Sequence, residues 1–188
     1  MSVIKKLFII LIVLIISIQC NRENKFIIEK GKVGVLTKET AIKDLPTIFK
    51  NDSLVSKLYD SIASKNIFSN EDDEYIIYSK NGDKLLEISP ENTNDSSSKI
   101  KSIQIFNSNY KTDKGISLKS TFKDINEHYL INKVETTLTS ATLFIDELNA
   151  TIAIDKKDLG LNSFSREQIS VEQIPDNAKI KYFTIWFN

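Results

Sequence analysis

Few side chains in this sequence can do chemistry near neutral pH. There is one histidine, His128, and one cysteine, Cys20. Histidine is the residue whose ordinary pKa lies near neutrality. As a general base, His128 would need a nucleophile or an orienting acid brought to it by the fold, and no local pattern supplies either. It ends an amphipathic stretch, where a helix C-terminus favours a cation, so its expected role is structural. One histidine and one cysteine also exclude the zinc and haem sites that draw several such ligands from one chain. The five glycines (Gly31, Gly34, Gly82, Gly115 and Gly160) never cluster, so no loop of the phosphate-cradling kind is present. No cofactor and no metal site are expected, and no catalytic residue is assigned.

Carboxylates are the other candidates. A pair roughly 5 to 9.5 Å apart can hydrolyse a glycosidic bond. Asp146, Glu147 and Asp155 stand at the ends of apparent strands and are the residues to test for that reaction. With 25 acids in the chain, some pair meets the distance in any fold, so the pattern has little specificity. Ser69-Asn70-Glu71-Asp72-Asp73-Glu74 could suggest calcium. However, a calcium loop alternates its acids around a glycine, and this run is contiguous and has none, so a solvated loop is expected. Tyr182, Phe183, Trp186 and Phe187 could form a ligand platform. Alternating along a strand, they are expected to fill the two faces of a sheet instead.

The cysteine has a context. Lys5 and Lys6 precede an unbroken apolar run from Leu7 to Ile16. Ser17-Ile18-Gln19-Cys20 follows, and then the abruptly polar Asn21-Arg22-Glu23-Asn24-Lys25. That order is a positive n-region, an h-region and a processing site. The run from Leu7 to Ile18 spans about 18 Å as a helix, too short for the roughly twenty apolar residues that cross a bilayer. The stretch resembles a bacterial lipoprotein signal, cut before a cysteine that carries lipid. The usual box has a small residue before the cysteine and an aliphatic two places earlier than that. Here Gln19 and Ser17 stand there, as in the looser boxes of Bacteroidetes and spirochaete lipoproteins. The resemblance implies removal of residues 1–19, lipid on Cys20, and a tether over residues 20–25. From Asn21 to Lys25 that tether reaches about 17 Å when extended. Asn21 rather than Asp after the lipid cysteine leans toward the outer membrane, with the domain facing the periplasm. A lone Glu23 does not support surface display.

Removing 19 of 188 residues leaves 169, enough for one domain with a real core. Lys5 and Lys6 leave with the signal, so 23 basic residues face 25 acidic ones, a net charge of −2. Such a domain has no footprint for nucleic acid and no polybasic patch, so any membrane attachment comes from acyl chains. A single cysteine allows no internal disulfide.

The remaining residues, 26–188, read as one α+β domain, mainly antiparallel sheet with two or three short helices. Phe26-Ile27-Ile28 and Val33, Val35 and Leu36 are extended. Thr37 is the expected N-cap of a short helix that breaks or restarts near Asp44 to Pro46. After Asn51-Asp52-Ser53, helical spacing of Leu54, Val55, Leu58, Tyr59 and Ile62 predicts a second helix. Tyr75 to Tyr78 and Lys84 to Ile88 flank Asn81-Gly82 and predict a hairpin with a type I′ turn. The polar run 90–98 is either a boundary between half-domains or a hairpin connection. Ile100 to Phe106 is a strand, and Asn107 to Lys114 is turn-rich. Ser120 caps a helix with the stripe Leu118, Phe122, Ile125 and Tyr129. Val134 to Leu138, Thr142 to Ile145 and Thr151 to Ile154 are strands. Asp155 to Arg166 is a loop with room for one helical turn. The apolar Ile180 to Phe187 must lie inside a sheet.

Two stretches echo one another: Gly34-Val35-Leu36-Thr37-Lys38-Glu39-Thr40-Ala41-Ile42-Lys43-Asp44-Leu45 and Gly115-Ile116-Ser117-Leu118-Lys119-Ser120-Thr121-Phe122-Lys123-Asp124-Ile125. Each reads as strand end, turn and capped helix, which would make the domain two duplicated strand–turn–helix–hairpin units. The layout is similar to small outer-membrane lipoproteins, to the β-lactamase-inhibitor-protein-like fold and to lipoproteins of unknown function. The expected function is that of an envelope lipoprotein, not an enzyme, attached through lipid on Cys20 and binding another envelope protein or stabilising an assembly. The alternative is an inhibitor or immunity lipoprotein whose loop (Pro90 to Ser98, or Asn107 to Lys114) enters a secreted enzyme. A carboxylate-dependent hydrolase ranks third.

Overall fold

The computed structural model describes residues 25–58, 73–161 and 167–187. Two layers face each other across one core. The first is an eight-stranded antiparallel sheet made of β4 (Ser53–Lys57), β5 (Glu74–Tyr78), β6 (Lys84–Pro90), β7 (Ile100–Ile105), β9 (Lys133–Thr136), β10 (Ser140–Ile145), β11 (Ala150–Asp155) and β12 (Ile180–Trp186). Its strand order is β4-β5-β6-β7-β12-β11-β10-β9. The second layer holds the small sheet β3-β2-β1-β8, built from β1 (Ile27–Glu29), β2 (Lys32–Val33), β3 (Leu36–Thr37) and β8 (Lys111–Thr112). The helices α1 (Leu45–Ile48) and α2 (Phe122–His128) complete it. The fold is α+β, mostly antiparallel sheet. Among the described residues, no helix is long and apolar enough to cross a membrane.

Period-two alternation builds the core. One cross-strand row runs Leu54, Ile77, Leu86, Ile105, Phe183, Ile152, Leu143 and Val134 across all eight strands. Its six central members are buried, and the row faces the second layer. There Ile28, Leu36, Ile42, Leu45, Ile116, Phe122 and Ile125 belong to the same core cluster. The neighbouring row points the other way: Val55, Ile76, Glu87, Gln104, Thr184, Thr151, Phe144 and Lys133. An antiparallel sheet with one packed face shows this alternation of apolar and polar rows.

The strand order is mirrored about the β7–β12 pair, and each half has a matching joint to the second layer. Ala41 bridges Lys99, and Thr121 bridges Lys179. The N–H groups of Ile42 and Lys43 donate to the carbonyls of Ser98 and Ser96, at 2.9 and 2.8 Å. Those of Phe122 and Lys123 donate to the carbonyls of Ala178 and Asp176, at 2.8 and 2.9 Å. The turn before each joint is fixed alike. Thr37 N–H donates to Thr40 Oγ1 at 3.0 Å, and Ser117 N–H to Ser120 Oγ at 3.1 Å.

Several expectations need correction. Residues 53–57 form edge strand β4 rather than a helix, because pairing with β5 satisfies their backbone and Leu54 joins the core row. Tyr59 and Ile62 lie outside the described residues. Thr37 belongs to β3 and caps no helix. A 3₁₀ turn at Ile42–Asp44 leads into α1, with Pro46 in the first helical turn, where its missing N–H costs nothing. The hairpin of β5 and β6 is as expected, but its turn is not type I′. Gly82 is left-handed at φ 85° while Asn81 is not. Gly82 N–H donates to Ser79 O at 2.9 Å, and the Ser79 hydroxyl accepts from the N–H groups of Asn81 and Asp83, both at 3.2 Å. The Ser79 side chain thus selects a turn with a single left-handed residue. Thr121, not Ser120, caps α2 in a capping box with Asp124, because the Ser120 hydroxyl is engaged by Ser117 N–H. The turn-rich Asn107 to Lys114 contains β8, which pairs in parallel with β1. Residues 91–99 connect the adjacent antiparallel strands β6 and β7.

Gly34 closes the small sheet. It is left-handed at φ 59° and its N–H donates to Ile27 O at 2.7 Å. A Cβ there would sit 2.4 Å from the carbonyl oxygen of Lys25. Only glycine lets the two backbones approach this closely.

Candidate functional site

The residues singled out from sequence do not converge. Cys20 lies outside the described residues. His128 ends α2 with Nδ1 2.8 Å from the carbonyl oxygen of Asp124. Its own carbonyl accepts from Lys114 Nζ at 3.0 Å. The carboxyl of Asp124 is held below the usual carboxylate range, first by the backbone N–H of Thr121 and then by the Thr121 hydroxyl. The ring of His128 is therefore seated against helix backbone. A shallow depression of about 460 Å³ lies beside it, lined by Asn126 to Ile131 with Val171 and Glu172.

Asp155 stands apart from the other two strand-end acids. Asp146 and Glu147 occupy the β10–β11 turn, and Asp155 ends β11. The length of β11 separates them, about 17 Å at strand rise, well beyond the span that hydrolyses a glycoside. Glu147 pairs with Lys114 at 2.5 Å. Asp155 receives Lys181 Nζ at 2.8 Å and Lys157 N–H at 3.1 Å, and these contacts, Lys181 first, lower its carboxyl pKa. Of the acidic run, residues 69–72 lie outside the described residues. Asp73 is buried and accepts from Asn94 N–H at 2.6 Å. Glu74 opens β5 and pairs with Lys57 at 3.5 Å. Among the described residues, no group of three or more His, Cys, Asp or Glu side chains could hold a metal ion.

The two loops considered for an inhibitory role are tied into the fold. Ser96 and Ser98 carbonyls anchor the first 3₁₀ turn, and Asn92 N–H donates to Ser98 Oγ at 2.9 Å. The second loop carries β8 and the buried Tyr110, which meets Phe26 edge to face at 5.0 Å. Burial, with Asp52 adding to it, pushes the Tyr110 hydroxyl pKa upward.

The terminal aromatics divide between the faces. Phe183 and Phe187 are buried, while Tyr182 is 43% exposed and Trp186 is half-buried on the outer face. Trp186 borders a cavity of about 380 Å³ with Phe144, Thr142, Thr151, Asp146 and Asn149 among its walls. Three hydrogen bonds fix the tryptophan. Its backbone N–H donates to Asn149 O at 2.8 Å, its carbonyl accepts from Asn149 Nδ2 at 2.9 Å, and its indole N–H donates to Thr151 Oγ1 at 3.1 Å. Asn149 makes both backbone contacts possible by turning left-handed at φ 50°. Sequence reasoning raises Trp186 as part of a ligand platform and sets it aside for sheet packing, without its partners here. The alternation in β12 puts Trp186 on the outer face, but its neighbours there come from the β10–β11–β12 register, which spacing does not reveal.

No family model matches the chain, and no curated protein matches it by sequence. Among solved structures, it is similar to the crystal structure of the uncharacterized protein yfeY from Escherichia coli. That likeness has a TM-score of 0.53 at 13% identity and covers 85% of this chain and 98% of that one. At that identity the likeness concerns the fold.

Proposed function

We propose that the chain is an envelope lipoprotein, held in the outer membrane through lipid on Cys20, whose periplasmic domain binds another envelope protein or stabilises an assembly. The order Lys5-Lys6, apolar run, Cys20 and polar tether carries this reading. The first strand, β1, begins at Ile27, seven positions after Cys20, so the tether between anchor and domain is short. The open sheet has edges at β4 and β9. Among the described residues nothing pairs with their outer sides, and an edge strand can receive a strand from another protein. Exposed Val55 and Leu58 stand at or beside β4, and Leu138 lies just past β9. Growth of the source organism with labelled palmitate tests the anchor. The intact protein should take up label and fractionate with the outer membrane, and Cys20→Ala should abolish both. An unlabelled wild-type protein refutes the reading.

We also propose that the domain is a duplicated unit. The echo of Gly34 and Gly115, the mirrored strand order and the matched joints at Ala41–Lys99 and Thr121–Lys179 support it. From Thr37 and Ser117 onward, each joint residue has its counterpart 80 positions later: Ile42 and Phe122, Lys43 and Lys123, Asp44 and Asp124, Ser98 and Ala178. An experimental structure whose two halves superpose best at a different offset would refute duplication.

A further inference from the structure

We propose that the cavity beside Trp186 binds an uncharged sugar ring, an activity independent of the lipid anchor. Its volume of about 380 Å³ lies in the range of small-ligand sites. The walls combine two aromatic rings, Trp186 and Phe144, with the polar residues Thr142 and Asp146, and the nearby ammonium groups of Lys133 and Lys30 are already engaged, by Glu135 and by the Asp146 carbonyl. Such walls suit a neutral ligand with an apolar face for the rings and hydroxyls for the polar residues, which is the chemistry of a pyranose. The site is also preorganised, because the Trp186 backbone is held by two hydrogen bonds to Asn149 and the indole N–H by one to Thr151, which lowers the ordering cost of binding.

The other half of the sheet shows why this cavity is open. By register, Phe106, Glu87 and Lys84 of the β4–β7 half correspond to Trp186, Thr151 and Leu148. There Lys84 Nζ sits 3.6 Å over the Phe106 ring and pairs with Glu87, so a cation covers the aromatic face. In the β9–β12 half, Leu148 turns into the core and leaves Trp186 uncovered. One half closes its aromatic with its own side chain, and the other half leaves the place free.

Trp186 is the sole tryptophan, so its emission reports this site alone. The full chain, in a zwitterionic detergent without a sugar headgroup, is titrated with maltotriose, chitotriose, choline chloride and sodium benzoate. The expected result is a saturable change in emission with at least one trisaccharide, at a dissociation constant on the order of 1 mM, and none with the two ions. Preference between the trisaccharides separates a hexose polymer from an N-acetylated, cell-wall-type glycan, and either supports the site. Asp146→Asn, at an exposed turn, should weaken binding by roughly tenfold or more. Trp186→Phe, read by calorimetry with the fold checked by circular dichroism, should weaken it as well. No saturable change with either sugar up to its solubility limit, saturable binding of choline or benzoate, or unchanged affinity in Asp146→Asn overturns the proposal.

Discussion

Replacing Gly34 by alanine should destabilise the protein far more than the same change at Gly82, and the difference follows from one distance. Both glycines are left-handed, at φ 59° and 85°. An L-residue there costs roughly 1–2 kcal/mol, offset by about 0.4–1 kcal/mol from a stiffer unfolded chain. Gly82→Ala therefore costs about 1 kcal/mol, since a Cβ at that site meets nothing within 4 Å. At Gly34 the Cβ lands 2.4 Å from Lys25 O, and that oxygen belongs to backbone, so relief requires moving chain. Forced repacking of this kind adds about 1–3 kcal/mol. The total for Gly34→Ala is about 2–4 kcal/mol. At roughly 2–4 °C per kcal/mol for a chain of this size, the melting temperature should fall by about 4–16 °C, against about 2–4 °C for Gly82→Ala. Urea denaturation followed by Trp186 emission and by circular dichroism gives both values on the same scale. If the two variants lose stability equally, the close approach of Lys25 and Gly34 is wrong and the argument for this glycine fails.

Other expectations follow from the sheet and from α2. Phe183→Ala should cost about 3–5 kcal/mol, because Phe183 is fully buried in the central row; Tyr182→Ala, one position along and facing out, should cost less than about 0.5 kcal/mol, and equal losses would reverse the assignment of faces. Thr121→Ala removes the α2 cap and should cost about 1 kcal/mol in denaturant titrations. The Asp124 carboxyl has its folded pKa depressed by Thr121, so its stabilisation is present above the unfolded value, about 3.9, and is lost as the pH falls through the folded value. Asp124→Asn should flatten that part of the stability profile, and an unchanged acid limb in the variant would disprove the coupling.

Much of the sheet was legible because its signals are local. Alternating Ile and Phe in 100–106 and 180–187 fixed two strands, and Asn81-Gly82 placed the hairpin even though Ser79 chose another turn. Residues 53–57 were misread because adjacent Leu54 and Val55 fit helical and extended spacing alike, and only pairing with β5 decides between them. The Thr121 cap was displaced by one position, since Ser117, Ser120 and Thr121 offer competing hydroxyls within five residues. The cavity was illegible for a different reason. Trp186, Phe144 and Asn149 lie up to 42 positions apart in sequence, and only the register brings them together.

The mirrored strand order has a consequence for the making of the protein. β12 follows every other described strand in sequence, yet it lies at the centre, between β7 and β11. Until it is synthesised, β7 and β11 are both bare edges and the two four-strand halves have no contact through backbone pairing. A nascent chain therefore cannot finish its sheet early, and it must close pairings of high sequence separation at the end, which is slow. The same delay exposes two apolar edges during folding, so a chain interrupted before Ile180 should aggregate rather than form a smaller domain.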